Sequence, residues 1–174
     1  IAFVSKRDGD PDSNSNSDIW TVRADTEAGD YPIKKITTNK GSDRNPTWSP
    51  DGSSIAHLTV TEPEKLWYAT ENLAIISSSG GDAKILTGDF DRMISSPTYS
   101  NDGNSIYFRA AHGGNSPLMS VDVSSGSLST ITQGELSVRQ YVIAKNGSIA
   151  TIQSSHYAPF DVHVLEGGSA KRIT

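Results

Sequence analysis

Apolar residues along this chain fall in short runs of four to six, and glycine, proline, asparagine, aspartate or serine separates one run from the next. No stretch shows apolar positions recurring every three to four residues, as an amphipathic helix requires. Short apolar runs bounded by turn-forming residues are typical of β-strands. The pattern therefore predicts an all-β protein.

A turn followed by an isoleucine-led apolar run occurs three times. The turns are Asp51-Gly52, Asp102-Gly103 and Asn146-Gly147, and their glycines lie 51 and then 44 residues apart. Aspartate and asparagine tolerate the left-handed backbone of a tight hairpin, and glycine adopts it without a steric penalty. A period of this length, with several short strands in each copy, indicates the blades of a β-propeller.

Each copy continues with a third strand rich in strand-forming residues and a fourth strand that ends in a hydrophobic residue followed by threonine. The closing threonines are Thr37, Thr87, Thr132 and Thr174, at steps of 50, 45 and 42 residues. Two independent features thus repeat with similar spacing. We expect a partial β-propeller of about four blades, each of four antiparallel strands, at approximately 1–37, 45–87, 96–132 and 139–174.

The first blade is expected to lack its inner strand, because residues 1–5 align with 55–59, which form a second strand. The chain is therefore expected to be cut from a larger propeller, and its open strand edge favours a homodimer. The side chains expected to lie between blades are Ile55, Leu73, Ile75, Ile106, Phe108, Val162 and Val164.

Composition narrows the classes of partner. The formal net charge of −5 gives no basic field for nucleic acid, so no nucleic-acid partner is expected. The most apolar stretch, Leu73–Ile76, is far shorter than the roughly 20 residues of a membrane helix, so no membrane partner is expected either. The absence of cysteine leaves the compartment open, and we expect a soluble protein of the cytoplasm or periplasm.

Catalytic chemistry finds little support in the sequence, which contains no Gly-x-Ser-x-Gly pentapeptide. Ser116 comes nearest to such a nucleophile, but its segment lacks the second glycine. The four histidines, His57, His112, His156 and His163, lack the close spacing of a zinc-binding pair. We therefore expect no catalytic residue and no cofactor in this chain.

An acidic loop at 8–18 is a candidate calcium site, because Asp8, Asp10, Asp12 and Asn14 alternate as oxygen ligands would. An EF-hand loop would carry glycine at the position of Ser13 and a bidentate glutamate at the position of Ile19. Because both positions fail, we expect a solvated loop and no metal site.

A second polar loop, at 61–71, carries the candidate substrate-binding residues Trp67, Tyr68 and Glu71. Aromatic rings beside carboxylates can bind a cationic or peptidic ligand. The alternative is that both rings fold the loop onto its blade.

The stretch 45–56, NPTWSPDGSSIA, resembles the WSPDG-type repeat shared by TolB-type propellers and by the propellers of prolyl oligopeptidase family peptidases. The end of the chain separates the two possibilities. A strand at 149–152, Ser154-Ser155, Pro159, a strand at 160–164 and the close at 171–174 are similar to the final blade before the hydrolase domain in acylaminoacyl-peptidase and dipeptidyl-peptidase relatives.

The resemblance implies a non-catalytic propeller that gates access of peptide substrates to a separate α/β-hydrolase domain, expected downstream in the parent. None of that domain's catalytic residues lies in this sequence, so the chain alone is not expected to be an enzyme. The alternative is a TolB-like interaction or scaffold propeller with no enzyme attached.

Overall fold

The computed structural model describes residues 1–7, 10, 12–13, 16–25, 32–166 and 169–174, and the regular secondary structure of these residues is almost entirely β-strand. In chain order the strands are β1 (Ala2–Ser5), β2 (Asp18–Thr21), β3 (Lys34–Lys35), β4 (Asp43–Trp48), β5 (Ser54–Val60), β6 (Glu71–Ser77), β7 (Lys84–Ile85), β8 (Ile94–Tyr99), β9 (Ser105–Ala110), β10 (Leu118–Asp122), β11 (Leu128–Thr130), β12 (Leu136–Ile143), β13 (Ile149–Ser155), β14 (Ala158–Glu166) and β15 (Ser169–Arg172).

The strands form four antiparallel sheets, and within each sheet every strand pairs with its neighbour in sequence. Sheet 1 contains β1 to β3, sheet 2 contains β4 to β7, sheet 3 contains β8 to β11, and sheet 4 contains β12 to β15. The all-β prediction is therefore confirmed. The chain divides into two compact units, Ile1–Asp91 with sheets 1 and 2, and Arg92–Thr174 with sheets 3 and 4.

The core of the first unit consists of isoleucines from both of its sheets. Ile19 and Ile36 of the sheet 1 region pack with Ile55 and Ile76 of sheet 2, and all four are nearly inaccessible to solvent. Apolar residues on the facing sides of two twisted sheets bury each other in this way.

In the second unit, Leu118 of sheet 3 packs with Val138 and Ile149 of sheet 4. Most side chains expected between blades are buried, but Ile75, Val162 and Val164 are only half-buried. For Val162 and Val164 the physical reason is strand alternation: Leu165 is the β14 residue that packs against this cluster, so Val162 and Val164 lie on the opposite face of the strand.

A threonine hydroxyl closes each sheet. Thr37 Oγ1 accepts a hydrogen bond from the backbone N–H of Ile19 at 2.9 Å, and Thr87 Oγ1 accepts one from Leu73 at 2.8 Å. The remaining two such bonds run from Leu118 to Thr132 at 3.0 Å and from Val162 to Thr174 at 3.2 Å. In each case the residue before the threonine donates its own N–H to the carbonyl of the residue whose N–H the threonine accepts.

The turns between first and second strands also share one design. Gly52, Gly103 and Gly147 have φ values of 71°, 74° and 85°. Each glycine N–H donates to the carbonyl three residues earlier, which is a β-turn bond. Glycine is favoured at these points because left-handed backbone is unstrained only without a Cβ.

Side chains reinforce two of these turns. Asp51 accepts hydrogen bonds from the Ser49 hydroxyl at 2.6 Å and from the Ser53 N–H at 3.0 Å, and Asp102 is bound in the same way. The Ser49 hydroxyl and the Ser53 groups lower the pKa of Asp51 to about 2. In the third turn, Asn146 replaces the aspartate and accepts only the Ser148 N–H, at 3.1 Å.

The first strands of sheets 2, 3 and 4 each contain a β-bulge. Pairing is interrupted at Asn45-Pro46 in β4, at Ser96-Pro97 in β8 and at Arg139 in β12. Asn45 and Ser96 have positive φ values of 54° and 57°. Proline lacks the N–H that a regular ladder needs, which favours a bulge at the first two positions.

We predict that Gly52→Ala destabilises the protein by about 1–2 kcal/mol, because alanine must adopt a left-handed backbone there. A Cβ at Gly52 would meet no atom within 4 Å, so the cost is purely conformational. Gly88→Ala is the matched control, since that backbone is not left-handed and the new Cβ would make ordinary contact with Ile85 at 3.6 Å. Urea unfolding measures both variants, and equal losses would contradict the assigned turn.

Candidate functional site

The connection between β5 and β6 holds three large apolar side chains out in solvent. It contains a 3₁₀ segment, Pro63–Tyr68, which is interrupted at Leu66 with φ 49° and ψ −113°. Leu66, Trp67 and Tyr68 are 75%, 96% and 89% exposed, and we name them the aromatic loop. A non-glycine residue at positive φ costs free energy, and such strain is concentrated at functional segments.

The alternative expectation for Trp67 and Tyr68 does not hold in this structure. Had the two rings folded the loop onto its blade, most of their surface would be covered, whereas almost all of it is accessible. Contiguous exposed aromatic surface of this kind is unusual for parts of a protein that have no partner. The aromatic loop is therefore the strongest candidate contact surface in the first unit.

Glu71, the third candidate residue, lies in a different environment from the two aromatics. It begins β6, is largely buried, and its carboxylate forms a salt bridge with Arg44 of β4. Because its charge is already matched within the sheet, Glu71 is less available to a ligand than an exposed carboxylate would be.

Beside the aromatic loop lies an open groove of about 730 Å³, to which Tyr68 contributes, together with Glu62, Lys65 and Asp91. Lys65 forms a salt bridge with Glu62 at 2.6 Å. The hydrogen bond to Glu62, and the negative charges of Glu62, Glu64 and Asp91, raise the pKa of Lys65. The groove thus combines the ring of Tyr68 with one negative charge in excess among its lining residues.

Lys65 and Asp91 were not predicted as binding residues from the sequence. The topology could have indicated Asp91. In a four-stranded antiparallel meander, the connection between the second and third strands lies at the same end of the sheet as the connection that follows the fourth strand. Asp91 lies in that latter connection, after β7, and so approaches the aromatic loop from a distant point in sequence.

Ser116 does not have the surroundings of a nucleophile. Its backbone joins the start of β12, donating to Leu136 O at 3.2 Å and accepting from Val138 N at 2.8 Å. It lines a small cavity with Glu135 and His156, but in the described part of the chain its hydroxyl has no hydrogen-bond partner. Activation of serine requires a base within hydrogen-bond reach.

The acidic loop is only partly within the described residues, since Asp8 and Asn14 lie outside them. Asp10 accepts hydrogen bonds from the N–H of Asp12 at 3.3 Å and, through its carbonyl, from the Ser13 hydroxyl at 2.8 Å. These bonds shape a local turn. Across the described ranges, no three histidine, aspartate or glutamate residues are grouped so that they could hold a metal ion.

Among the histidines, His57 has the most unusual position. It lies on β5 and is fully buried, with Nε2 3.6 Å from Oδ1 of the equally buried Asp43. Asn39 also approaches Asp43, at 3.4 Å, and donates to Thr59 at 3.2 Å. Burial lowers the pKa of His57, although the Asp43 carboxylate opposes that change.

No protein-family model matches the chain, and no curated protein sequence matches it significantly. Solved structures do match it in fold. TolB from Acinetobacter baumannii matches with a TM-score of 0.70 and 19% identity, over 100% of this chain and 40% of that chain. The β-propeller domain of the Trilobed protease from Pyrococcus furiosus matches with a TM-score of 0.66 and 15% identity, over 91% and 43%.

Acylaminoacyl peptidase from Pyrococcus horikoshii matches with a TM-score of 0.64 and 18% identity, over 91% of this chain and 23% of that chain. The chain spans less than half the length of each of these three proteins. At these identities the matches establish the fold, which is a partial β-propeller of the kind found in TolB and in prolyl oligopeptidase family peptidases. The one short helical segment in the described part of the chain could not cross a membrane.

We predict that stability falls as the pH is lowered from about 7.5 to 5.5, and that His57 is the main cause. Since the folded-state pKa of His57 is below its ordinary value of 6.5, the unfolded state binds the extra proton first, and unfolding becomes easier below pH 6.5. The expected decrease in melting temperature is on the order of a few degrees.

Thermal melts of the protein and of His57→Gln test this dependence. The His57→Gln variant should be less stable at pH 7.5, but its melting temperature should fall less on acidification. His156→Gln, at an exposed position, should show the pH dependence of the unsubstituted protein. An unchanged pH dependence in His57→Gln would contradict the assignment.

Proposed function

We propose that the chain is a non-catalytic β-propeller segment of a serine peptidase of the prolyl oligopeptidase type. In this role it walls the chamber of a separate hydrolase domain, admits peptides and excludes large folded proteins. The expected partners are that hydrolase domain and peptide substrates. A homodimer of the 174-residue chain, formed either by stacking of end blades or by pairing of free strand edges, stays a prediction.

The observation that carries the proposal is the aromatic loop beside its acidic groove. Flexible peptides present backbone amides, apolar side chains and a cationic amino end, which suit aromatic rings flanked by carboxylates. Trp67 and Tyr68 supply apolar surface with little conformational freedom to lose, because each side chain has only two rotatable bonds. The groove contains the carboxylates of Glu62 and Asp91, and because Lys65 pairs with Glu62, its lining residues carry one negative charge in excess.

Two further observations support a role without catalysis. The sequence contains no Gly-x-Ser-x-Gly motif, and the resemblance at the end of the chain is to blades that precede a hydrolase domain. Peptidase propellers are also among the structures of similar fold. These likenesses concern the fold, so the peptidase role rests on the aromatic loop and on the motif resemblance together.

A TolB-like interaction propeller is the second candidate, and one specific observation favours it. The match to TolB from Acinetobacter baumannii extends over the whole chain. In this reading the aromatic loop contacts a segment of a partner protein, and no hydrolase domain follows.

Trp67 offers a direct reporter for peptide contact. In the free protein its indole is 96% exposed, so its emission should be that of a tryptophan in water. We predict that a heptapeptide with a free amino end and an amidated carboxyl end shifts the emission to shorter wavelength, because the ring leaves water. N-acetylation of the same peptide should weaken binding by roughly threefold to tenfold, since it removes the charge facing the groove.

The variant Trp67→Phe should abolish the shift while Trp20 and Trp48 still emit, and Tyr68→Ala should weaken binding. Tyr157→Ala is the matched control, because Tyr157 is equally exposed, at 96%, in the corresponding turn of sheet 4. Melting curves should show all three variants as stable as the parent, within about 0.5 kcal/mol. An emission shift that persists in Trp67→Phe, or the absence of a shift at millimolar peptide, would contradict the proposed contact.

A further inference from the structure

Two arginines line an open cavity of about 500 Å³ in the second unit. The cavity lies beside β8, β9 and β12, and we name it the arginine cleft. Its lining residues are Ser96, Thr98, Arg109, Arg139, Gln140 and Tyr141.

Among the described residues, the partners that hold Arg109 in place are two backbone carbonyls and one hydroxyl. Its Nη1 donates to the carbonyl of Arg139 at 2.5 Å and more weakly to that of Val138 at 3.4 Å, while Nη2 donates to the Ser96 hydroxyl at 3.2 Å. Its Nε–H is shielded from solvent and has no acceptor among the described residues. A buried donor without an acceptor is unfavourable, so a small rotation of this guanidinium towards an incoming anion would relieve it.

Arg139 also keeps its positive charge unmatched. It is exposed, its guanidinium carbon lies 5.7 Å from the centre of the Phe160 ring, and it forms no salt bridge within the described part of the chain. A cation over an aromatic face is attracted to the ring, but the ring does not neutralise it. Phe160 is itself about half exposed and offers apolar surface next to the charge.

The remaining groups of the arginine cleft are neutral. The Tyr141 hydroxyl lies 2.5 Å from the carbonyl of Ser96 and 2.9 Å from that of Tyr107, and it can donate to either. Burial raises the pKa of Tyr141 to about 12, so it carries no negative charge near neutral pH. Ser96, Thr98 and Gln140 add polar groups without charge. The arginine cleft is thus cationic in a protein whose formal net charge is −5.

The backbone that shapes the arginine cleft is irregular on both sides. Ser96 occupies the left-handed position of the β8 bulge, and Arg139 is the extra residue of the β12 bulge. Bulges redirect side chains out of the regular alternation of a strand and are common next to binding sites. Here the bulge in β12 also presents the carbonyl that holds Arg109.

We propose that the arginine cleft binds a carboxylate, and specifically the C-terminal carboxylate of a peptide whose last side chain is apolar. Arginine presents a planar fork of donors that matches a carboxylate. Phe160, whose ring lies under the Arg139 guanidinium and is 47% exposed, offers apolar surface beside that charge for the last side chain of the peptide. The net negative charge of the protein disfavours polyanions, so a small ligand with a single negative charge is favoured. This site is separate from the aromatic loop and does not depend on the proposed function.

The test is a titration of the ¹⁵N-labelled 174-residue chain, followed by NMR through the arginine Nε–H signals. The probe is the tripeptide Ala-Ala-Phe, acetylated at its amino end, with either a free or an amidated carboxyl end. The free acid should shift the Arg109 and Arg139 signals saturably, and the amide should bind at least tenfold more weakly. Arg139→Gln should weaken binding of the free acid by about tenfold.

Arg172→Gln is the matched control, because Arg172 is an exposed arginine of sheet 4 that pairs with Asp161. It should bind the free acid as the parent does. Equal binding of the acid and the amide would overturn the proposal, and so would competition by inorganic phosphate as strong as that by the free acid. The absence of any shift at 10 mM peptide would also overturn it, because a Kd of about 1 mM would be evident at that concentration.

Discussion

The hydrogen bond from an N–H of the last-but-one strand of each sheet to the threonine that follows the last strand is the constraint on which the repeated structure depends. In sheets 1 and 2 the last strands, β3 and β7, contain only two residues each, so few ladder bonds can hold them. Without Thr37 and Thr87, the N–H groups of Ile19 and Leu73 would be buried and unpaired. The threonine therefore completes the sheet where the strand is too short to do so.

A sheet that is closed in this way fixes where its connections lie. β5 and β6, the second and third strands of sheet 2, pair over the full length of β5, from Ser54 to Val60. The segment that joins them therefore begins at a defined end of the sheet. The aromatic loop lies in that segment, and the connection after β7 lies at the same end of the sheet. Regular sheets thus hold an irregular, exposed segment beside an acidic groove, which is how rigid scaffolds commonly present binding loops.

The sequence contained enough information for the fold and less for the site. The spacing of Thr37, Thr87 and Thr132 and the turn glycines reflect local backbone requirements, which a sequence states directly. The exposure of Trp67 depends on the strained backbone at Leu66, and the burial of Glu71 depends on Arg44, which is distant in sequence. Such properties come from tertiary pairing and could not be read from local pattern. The arginine cleft was missed for the same reason, because the hydrogen bond from the Arg109 guanidinium to the Arg139 carbonyl joins two different sheets.

The most direct test of the proposed function is the gene sequence that follows the codon for Thr174. The account predicts an in-frame α/β-hydrolase domain with a Gly-x-Ser-x-Gly motif, complete within roughly 250 residues, a usual size for a single domain. A stop codon soon after Thr174, or further blades with no such motif, would contradict the peptidase role and leave the interaction propeller as the better explanation.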